Sequence, residues 1–320
     1  MSQLDISEIL EQEFSKDALR RAAQSENTRF AYQKGWQYFV SWCQRMGLEP
    51  LEARSDDIVG FLIAMACQQR PGGGKPLALN TLKLFRSALN NRWQRMGLPS
   101  PAADRSVNEV LQGLKRMLGS KPRRVKAIRE YQLLPMLNLC GGSLHGLRDA
   151  ALLSLGFAAA LRRSELCSLR TDDLQRKGTE QMIVTVQRSK TDLHGVGQNV
   201  AVIEGESIRP IMHLERWLQA SGISEGFVFQ TLLRGGVASG RPLDSGDVAR
   251  VVKRYTQKVG LEPSEYSGHS LRAGFVTSAA VHNARIDKIM EITRHRNAET
   301  VLMYIRDEQS FVDHAGSSFL

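Results

Sequence analysis

Six side chains of the kinds that act on phosphate esters occur in the second half of the sequence. In chain order they are Arg162, Lys190, His269, Arg272, His295 and Tyr304. Attack on a phosphodiester concentrates negative charge on its non-bridging oxygens, which two guanidinium groups can hold through paired hydrogen bonds. A tyrosine hydroxyl is a poor nucleophile at neutral pH and needs a base or a positive site beside it. The set therefore suits cleavage of a phosphodiester by a tyrosine.

Each residue type has a candidate role in such a reaction. Arg162 and Arg272 are the candidates for the pair that holds the phosphate, and Lys190 could protonate the departing sugar oxygen. His269 or His295 could assist the nucleophile. His269 and Arg272 lie three residues apart at the expected start of a helix, so they share one face of it.

Taken singly, these residues also have plain structural explanations. Tyr304 stands in the apolar segment VLMYI, where an aromatic side chain commonly belongs to a core. Lys190 could be a solvated loop residue, Arg162 could pair with a carboxylate, and His269 could cap its helix. Glu165 could be a surface partner of an arginine, or it could hold that arginine in place from behind.

The ordered set resembles the tyrosine site-specific recombinases, the phage integrase family. The family pattern is an arginine in L-R-x-S-E-L, a lysine in a β-hairpin, H-x-x-R, a histidine or tryptophan, and a tyrosine nine residues later. All six positions are present here in that order. The similarity also covers the N-terminal part of the chain, including 25–43 and 95–117. One position departs from the pattern: the family usually has glycine before the second histidine, and this chain has Arg294, which leaves the local backbone conformation open or adds another phosphate contact.

The resemblance implies a complete reaction. Tyr304 would form a 3′-phosphotyrosine and release a 5′-hydroxyl, while Arg162 and Arg272 bind the scissile phosphate. Lys190 would protonate the leaving oxygen, and the two histidines would assist proton transfer and phosphate binding. The strands would be exchanged through a Holliday junction without ATP, a metal or another cofactor.

The resemblance also implies partners for the chain. Similar proteins clamp double-stranded DNA at a specific target site between a helical core-binding domain and the catalytic domain. They assemble as homotetramers, with the C-terminal segment of each copy docked on a neighbour. Three large apolar residues near the end of this chain are candidates for that docking element: Phe311, Val312 and Phe319. The same residues could instead fold onto their own domain.

The elements that position the candidate residues follow from the pattern of apolar residues. The expected fold class is mainly α, with an N-terminal helical core-binding bundle of the SAM-like kind and a mostly helical catalytic domain that contains a small antiparallel β-sheet. In the catalytic domain, strands at 182–186 and 199–203 form a hairpin with Lys190 in or near its connection. The helices predicted there are 148–161, 208–220, 244–259, 269–283, 285–293 and 297–305.

Four helices are predicted in the N-terminal bundle. The first spans 26–46 and ends at Gly47, the second opens at Ser55 with an acidic first turn, the third opens at Asn80, and the fourth spans 104–118. The resulting domain boundaries are an N-terminal arm at 1–24, the DNA-binding bundle at 25–118, a basic linker at 119–130 and the catalytic domain at 131–320.

The positive charge of the chain is concentrated in one stretch. The formal net charge is +10, and residues 58–126 hold 13 basic against 2 acidic side chains. Such a stretch suits contact with a polyanion, because neutralised phosphates release their counterions. Four residues are candidate DNA contacts: Lys83, Arg86, Arg123 and Arg124. A merely solvated basic face predicts the same residues, so the recognised DNA sequence stays open.

Several other functions are disfavoured. The four cysteines are far apart and form no C-x-x-C pair, and no P-loop, H-E-x-x-H or G-x-S-x-G motif occurs. No run is apolar enough for a membrane span and the start lacks a secretory pattern, so we expect a cytoplasmic, nucleoid-associated protein encoded by a bacterium, phage or plasmid.

Two alternatives stay open: a type IB topoisomerase-like enzyme that relaxes DNA, and a catalytically inactive DNA-binding regulator of the same fold.

Overall fold

The computed structural model describes residues 26–67, 76–118, 125–187 and 197–308. The chain divides into two compact units, Met1–Pro122 and Arg123–Leu320. Both units consist mostly of helices, and the second also contains short antiparallel strands. The prediction of a mainly α-helical chain with a small antiparallel sheet is confirmed. The assignment of the units as DNA-binding and catalytic domains stays a prediction.

The described part of the first unit forms a four-helix bundle. Its helices are α1 (Glu26–Met46), α2 (Ser55–Ala66), α3 (Leu79–Arg95) and α4 (Arg105–Leu118). Aromatic side chains fill the centre, with the rings of Phe39 and Phe61 meeting edge to face at 5.2 Å between centroids. Edge-to-face contacts suit the charge distribution of aromatic rings. The apolar residues whose spacing predicts these helices are therefore the residues that form the core.

The ends of these helices follow from capping. Gly47 adopts a φ of +69° after α1, and the backbone N–H of Leu48 donates to the carbonyl of Cys43 at 2.9 Å, so the predicted glycine cap is confirmed. The interpretation of Ser55 as the N-cap of α2 is wrong, because Ser55 is the first residue of the helix and Arg54 is the cap. The carboxylate of Asp57 accepts a hydrogen bond from the N–H of Arg54 at 2.8 Å. A side chain at the third helical position thus satisfies the N–H of the capping residue.

The second unit contains eight helices and five strands within its described residues. The helices are α5 (Glu130–Asn138), α6 (Leu144–Ala158), α7 (Arg163–Ser168), α8 (Pro210–Ser221), α9 (Ser245–Lys258), α10 (His269–Val281), α11 (Ile286–Thr293) and α12 (Ala298–Glu308). The strands are β1 (Leu174–Arg176), β2 (Gln181–Val186), β3 (Gln198–Ile203), β4 (Gln230–Leu232) and β5 (Ala238–Pro242).

The predicted hairpin is part of a three-stranded antiparallel sheet in the order β1-β2-β3. Met182 faces Val202 and Val184 faces Val200, and these side chains are buried on the helical face of the sheet. The strand β1 was not predicted, because its three residues, LQR, lack an alternating apolar pattern. Residues 188–196, which include Lys190, lie outside the described part of the connection.

Two helices at the centre of the second unit carry the candidate residues. Helix α6 is buried along most of its length, and α10 packs against it. A Cβ atom on Gly274 of α10 would lie 1.8 Å from the carbonyl oxygen of Ile128, so this position requires glycine. The N–H of Ile128 in turn donates to the carbonyl of Ser270 at 3.0 Å. The start of the second unit is thus held against the helix that bears His269 and Arg272.

Within the described residues, no helix combines the length and the apolar character that crossing a membrane requires.

Candidate active site

Arg162 occupies the turn between α6 and α7. Ala160, two residues after the end of α6, has a φ of +46°, and Arg162 precedes the first residue of α7. The backbone N–H of Arg162 donates to Oε2 of Glu165 at 2.8 Å, and its Nη1 donates to Oε1 at 2.6 Å. The Glu165 side chain is 1% exposed. Glu165 is therefore a buried support for Arg162 and not a surface partner.

Arg272 lies one helical turn after His269 and is almost fully buried. Its Nη1 donates to the carbonyl oxygen of Ala160 at 2.8 Å. Among the described residues, no acceptor contacts its buried Nη2. Burial, and then the charges of Arg162 and Arg294, lower the pKa of Arg272 to about 9. The guanidinium stays charged at neutral pH, and an anion beside it would relieve this repulsion.

The hydroxyl of Tyr304 meets an imidazole. Its Oη lies 3.4 Å from Nε2 of His269, while its ring packs against the small core formed by Val276, Ala280, Ile289 and Val301. Tyr304 is thus both an edge residue of a core and a member of the candidate site.

The His269 side chain keeps access to solvent, yet neighbouring protein removes part of its hydration. This desolvation, and then the charges of Arg272 and Arg162, lower the pKa of His269.

A neutral His269 can accept the proton of the tyrosine hydroxyl. Because its pKa lies below the ordinary value of 6.5, its Nε2 is available as a base at pH 7 in the appropriate tautomer. The contact of 3.4 Å is long for a hydrogen bond in the resting state. Catalytic contacts of this kind commonly shorten when substrate binds.

His295 is held in one tautomer by Thr293. The Thr293 hydroxyl donates its single proton to the carbonyl of Ile289 at 2.7 Å, and its oxygen lies 2.8 Å from Nδ1 of His295. The oxygen must therefore accept from Nδ1–H, which leaves Nε2 of the imidazole unprotonated. Desolvation, and then the charges of Arg272 and Arg162, lower the pKa of His295 to about 4. Thr293 is absent from the predicted set, because no local pattern connects a threonine to the tautomer of a nearby histidine.

Arg294 has a left-handed backbone, with φ 58° and ψ 40° at the end of α11. This is the conformation that glycine adopts with least strain, so the usual glycine of the family matches the observed geometry. The side chain of Arg294 is buried, and its Nη2 donates to Oε2 of Glu165 at 2.7 Å. Three guanidiniums, those of Arg162, Arg272 and Arg294, thus lie near one carboxylate.

Of the remaining predicted residues, two lie in the first unit and three fall outside the described residues. Lys83 and Arg86 lie on α3 in the first unit, where they line a shallow groove of about 410 Å³ with residues of α4. Lys83 is exposed, whereas Arg86 is half-buried and its Nε donates to the carbonyl of Ala102 at 2.8 Å. Lys190, Arg123 and Arg124 lie outside the described residues, so their predicted roles stay predictions.

A family model matches the part of the chain that contains this site. Residues 126–310 match the model of the phage integrase family. The chain belongs to the phage integrase family. This recombinase is 32% identical to the integrase/recombinase xerD homolog of Selenomonas ruminantium over 309 residues, which cover 94% of this chain and 88% of that protein. It is a more distant homologue of recombinase cre of Escherichia phage P1, with 24% identity over 308 residues that cover 91% and 87% of the two chains.

A solved structure supports the fold of the recombinase. The Tn1549 transposon integrase, in complex with circular intermediate DNA, matches with a TM-score of 0.60 and 18% identity over 92% of this chain and 93% of that chain. The prediction of a tyrosine recombinase is confirmed as to family and as to enzyme class, and DNA recombination is the activity of that class.

Proposed function

We propose that this recombinase cleaves and rejoins DNA strands at a specific site through a covalent 3′-phosphotyrosine on Tyr304. The observation that carries the proposal is the contact between the Tyr304 hydroxyl and Nε2 of His269. It supplies a nucleophile with an acceptor for its proton, beside two arginines whose positions are held by Glu165 and by the carbonyl of Ala160.

In the cleavage step, Oη of Tyr304 attacks the phosphorus and its proton passes to Nε2 of His269. Arg162 and Arg272 hold the non-bridging oxygens, on which negative charge grows in the transition state. The buried Nη2 of Arg272, which lacks an acceptor among the described residues, supports this role. The bond from phosphorus to the 5′-oxygen breaks, and that oxygen receives a proton from Lys190. One phosphate ester replaces another, so the bond energy is kept for rejoining and the proposed step uses neither ATP nor a metal.

His295 has a distinct place in the proposed reaction. With Nδ1–H donated to Thr293, its Nε2 carries a lone pair and accepts protons without donating them. This favours proton transfer over binding of a phosphate oxygen as the role of His295. Rejoining is cleavage in reverse, so Lys190 takes its proton back from the incoming 5′-hydroxyl, and the accepting imidazole of His295 is proposed to assist the transfer of the tyrosine proton during cleavage.

The proposed substrate is double-stranded DNA, exchanged through a Holliday junction in a homotetramer. The basic stretch at 58–126 supports a DNA partner. For the tetramer, an apolar groove of about 480 Å³ supports docking of a neighbouring chain. Its lining includes Phe157 of α6, Ile203 of β3 and Phe275 of α10, and Ile203 is 69% exposed. We propose that the C-terminal segment of a neighbour, with the apolar residues Phe311, Val312 and Phe319, occupies it; that segment lies outside the described residues.

The proposal is tested by covalent trapping on a nicked DNA duplex. DNA that the full chain binds is first selected from a random pool, and a nick placed near the cleavage position then prevents rejoining. The wild-type chain should form a denaturation-resistant complex, and Tyr304→Phe should bind the same DNA and form none. Tyr38→Phe is the matched control, because Tyr38 lies in the first unit and its ring packing on Phe85 survives the change. Trapping by Tyr304→Phe at the wild-type level would overturn the assignment of the nucleophile.

The two alternatives predict other outcomes, one of them in separate assays of plasmid relaxation and junction formation. A topoisomerase-like enzyme would relax supercoiled plasmid as a monomer and form no junction intermediate on a native gel. A regulator without the chemistry would bind the selected DNA and form no covalent complex even in the wild-type chain.

A further inference from the structure

Arg294 is a bulky residue in a conformation that favours glycine. Its φ of 58° brings the Cβ atom of an L-residue close to its own backbone, which costs conformational energy at the end of α11. A residue is kept in such a conformation when surrounding contacts determine it. We therefore expect the side chain of Arg294 to make such contacts.

The guanidinium of Arg294 is buried, with 3% of the side chain exposed. Its Nη2 donates to Oε2 of Glu165 at 2.7 Å. Its Nη1 donates to the carbonyl of Ile292 at 2.8 Å and contacts that of Ala159 at 3.3 Å. Nη2 also approaches the carbonyl oxygen of Ala160 at 3.5 Å. The group thus spans the end of α6, the start of α7 and the end of its own helix.

These contacts are the same ones that hold the two phosphate-binding candidates. Glu165 accepts from Arg294 and also from both the side chain and the backbone of Arg162. The carbonyl of Ala160 is approached by Arg294 and accepts from Arg272 at 2.8 Å. Arg294 therefore bridges the anchor of one arginine to the anchor of the other.

The sharing of the Glu165 carboxylate by two arginines also affects the net charge of the cluster. A buried glutamate paired with one arginine neutralises it, and that arginine then has less attraction for a phosphate. Here Glu165 is shared by two guanidiniums, and with Arg272 the cluster of three arginines and one glutamate keeps a net positive charge. The additional guanidinium allows Glu165 to position Arg162 without cancelling its charge.

We propose that Arg294 is a positioning residue of this recombinase, which acts through Glu165 and the Ala160 carbonyl to orient Arg162 and Arg272 on the scissile phosphate. The proposal rests on the function proposed above. At position 294 an arginine stands where the family usually has glycine, which would adopt this left-handed backbone with less strain. The contact with Glu165 offsets that strain. Its contribution should therefore appear in the cleavage step and not in the folding of α11.

The test uses the full chain, the selected nicked duplex and single-turnover cleavage. Arg294→Gly fits the left-handed backbone, so the variant should fold and should bind DNA within about two-fold of wild type. Its cleavage rate should fall by about tenfold or more, because small displacements of positioned groups are costly in the transition state. Arg294→Lys keeps a charge beside Glu165 and should recover part of the lost rate, which keeps the test valid if the glycine variant is unstable.

Two further variants separate this role from a structural one. Asn283 also has a positive φ, +57°, at an exposed turn, so Asn283→Gly relieves the same kind of strain and should leave cleavage unchanged. Glu165→Gln removes the charge through which Arg294 acts. The double variant of Glu165→Gln with Arg294→Gly should therefore cleave no more slowly than the slower single variant, since residues that act as a unit are not additive.

The titration of His295 provides an independent readout. Arg294 is one of the charges that lower the pKa of His295, so its removal should raise that pKa, which NMR titration of the labelled imidazole measures. The inference is overturned if Arg294→Gly cleaves within about two-fold of wild type, or if the two single losses multiply in the double variant. Failure of the wild-type chain to form any covalent complex would instead contradict the proposed function.

Discussion

The Tyr304 hydroxyl lies 3.4 Å from Nε2 of His269, although 35 residues separate the two positions in the chain. The contact exists because α12 packs against α10 through Val276, Ala280 and Val301. The proposed nucleophile and its proposed proton acceptor thus lie on two packed helices, which hold them more firmly than loops would.

Replacement of His269 should remove the proton acceptor. We expect His269→Ala to slow single-turnover cleavage by about 100-fold, a typical contribution of general-base catalysis. The pKa of His269 is lowered below 6.5, so the wild-type rate should be level near pH 7 and fall only as the pH drops through that lowered pKa. His145→Ala, at an exposed position on α6, should keep the wild-type rate. A rate near wild type for His269→Ala at pH 7 would show that another group accepts the proton.

Thr293 should control the tautomer of His295. In Thr293→Val the acceptor for Nδ1–H is lost, and we expect the ring to populate both tautomers and cleavage to slow by about tenfold. Nitrogen NMR of labelled imidazoles measures the tautomer directly. Thr256→Val is the matched control, because Thr256 is also buried in a helix and its hydroxyl donates to the carbonyl of Lys253 at 3.0 Å, with no histidine contact. An unchanged tautomer in Thr293→Val would refute the assignment.

Glu165 should contribute a pH-dependent part of the stability. Burial by itself would raise the pKa of Glu165, but the charge of Arg294 and the hydrogen bonds from Arg162 outweigh it and lower that pKa below 4.5. A carboxyl whose pKa is lowered by folding stabilises the protein above its unfolded pKa, and the effect is lost as the pH falls through the folded value. Glu165→Gln should therefore reduce the free energy of unfolding by about 3 kcal/mol at pH 7.

The deficit of Glu165→Gln should shrink as denaturant unfolding is repeated at successively lower pH, from 4.5 down toward the lowered pKa of the folded state, because the unfolded wild-type chain takes up the proton first. Glu109→Gln, which breaks the exposed pair with Arg105, should change stability little at either pH. A pH-independent deficit in Glu165→Gln would mean that the carboxylate charge does not supply the stabilisation.

The apolar groove should be required for assembly on DNA. Ile203 is 69% exposed at its edge, so Ile203→Glu should leave folding intact while placing a charge in the proposed docking site. We expect binding of DNA to persist and the amount of tetramer on native gels to fall by about tenfold. Leu233→Glu changes another exposed apolar residue, on the β4-β5 hairpin outside the groove, and should assemble normally. Normal assembly of Ile203→Glu would exclude the groove as the docking site.

Local sequence determined much of this molecule. The helix predicted at 285–293 is observed as Ile286–Thr293, and the strands predicted at 182–186 and 199–203 each begin one residue earlier than predicted. Such elements depend on the periodicity of apolar residues and on caps within a few positions, and both can be read along the chain. The ordered motifs around Arg162, His269 and Tyr304 likewise indicated the family before any geometry was known.

The tertiary structure decided how those residues support one another. The contact of Arg294 with Glu165 joins positions 129 residues apart, and that of Arg272 with the Ala160 carbonyl joins positions 112 apart. No local sequence pattern predicts a left-handed residue whose guanidinium contacts a buried carboxylate. The stabilisation comes from the contact between Glu165 of α7 and Arg294 at the end of α11. The sequence therefore identified which groups could perform the chemistry. Only the packing of distant segments determined which of these groups are fixed in position and which of them are neutral or charged.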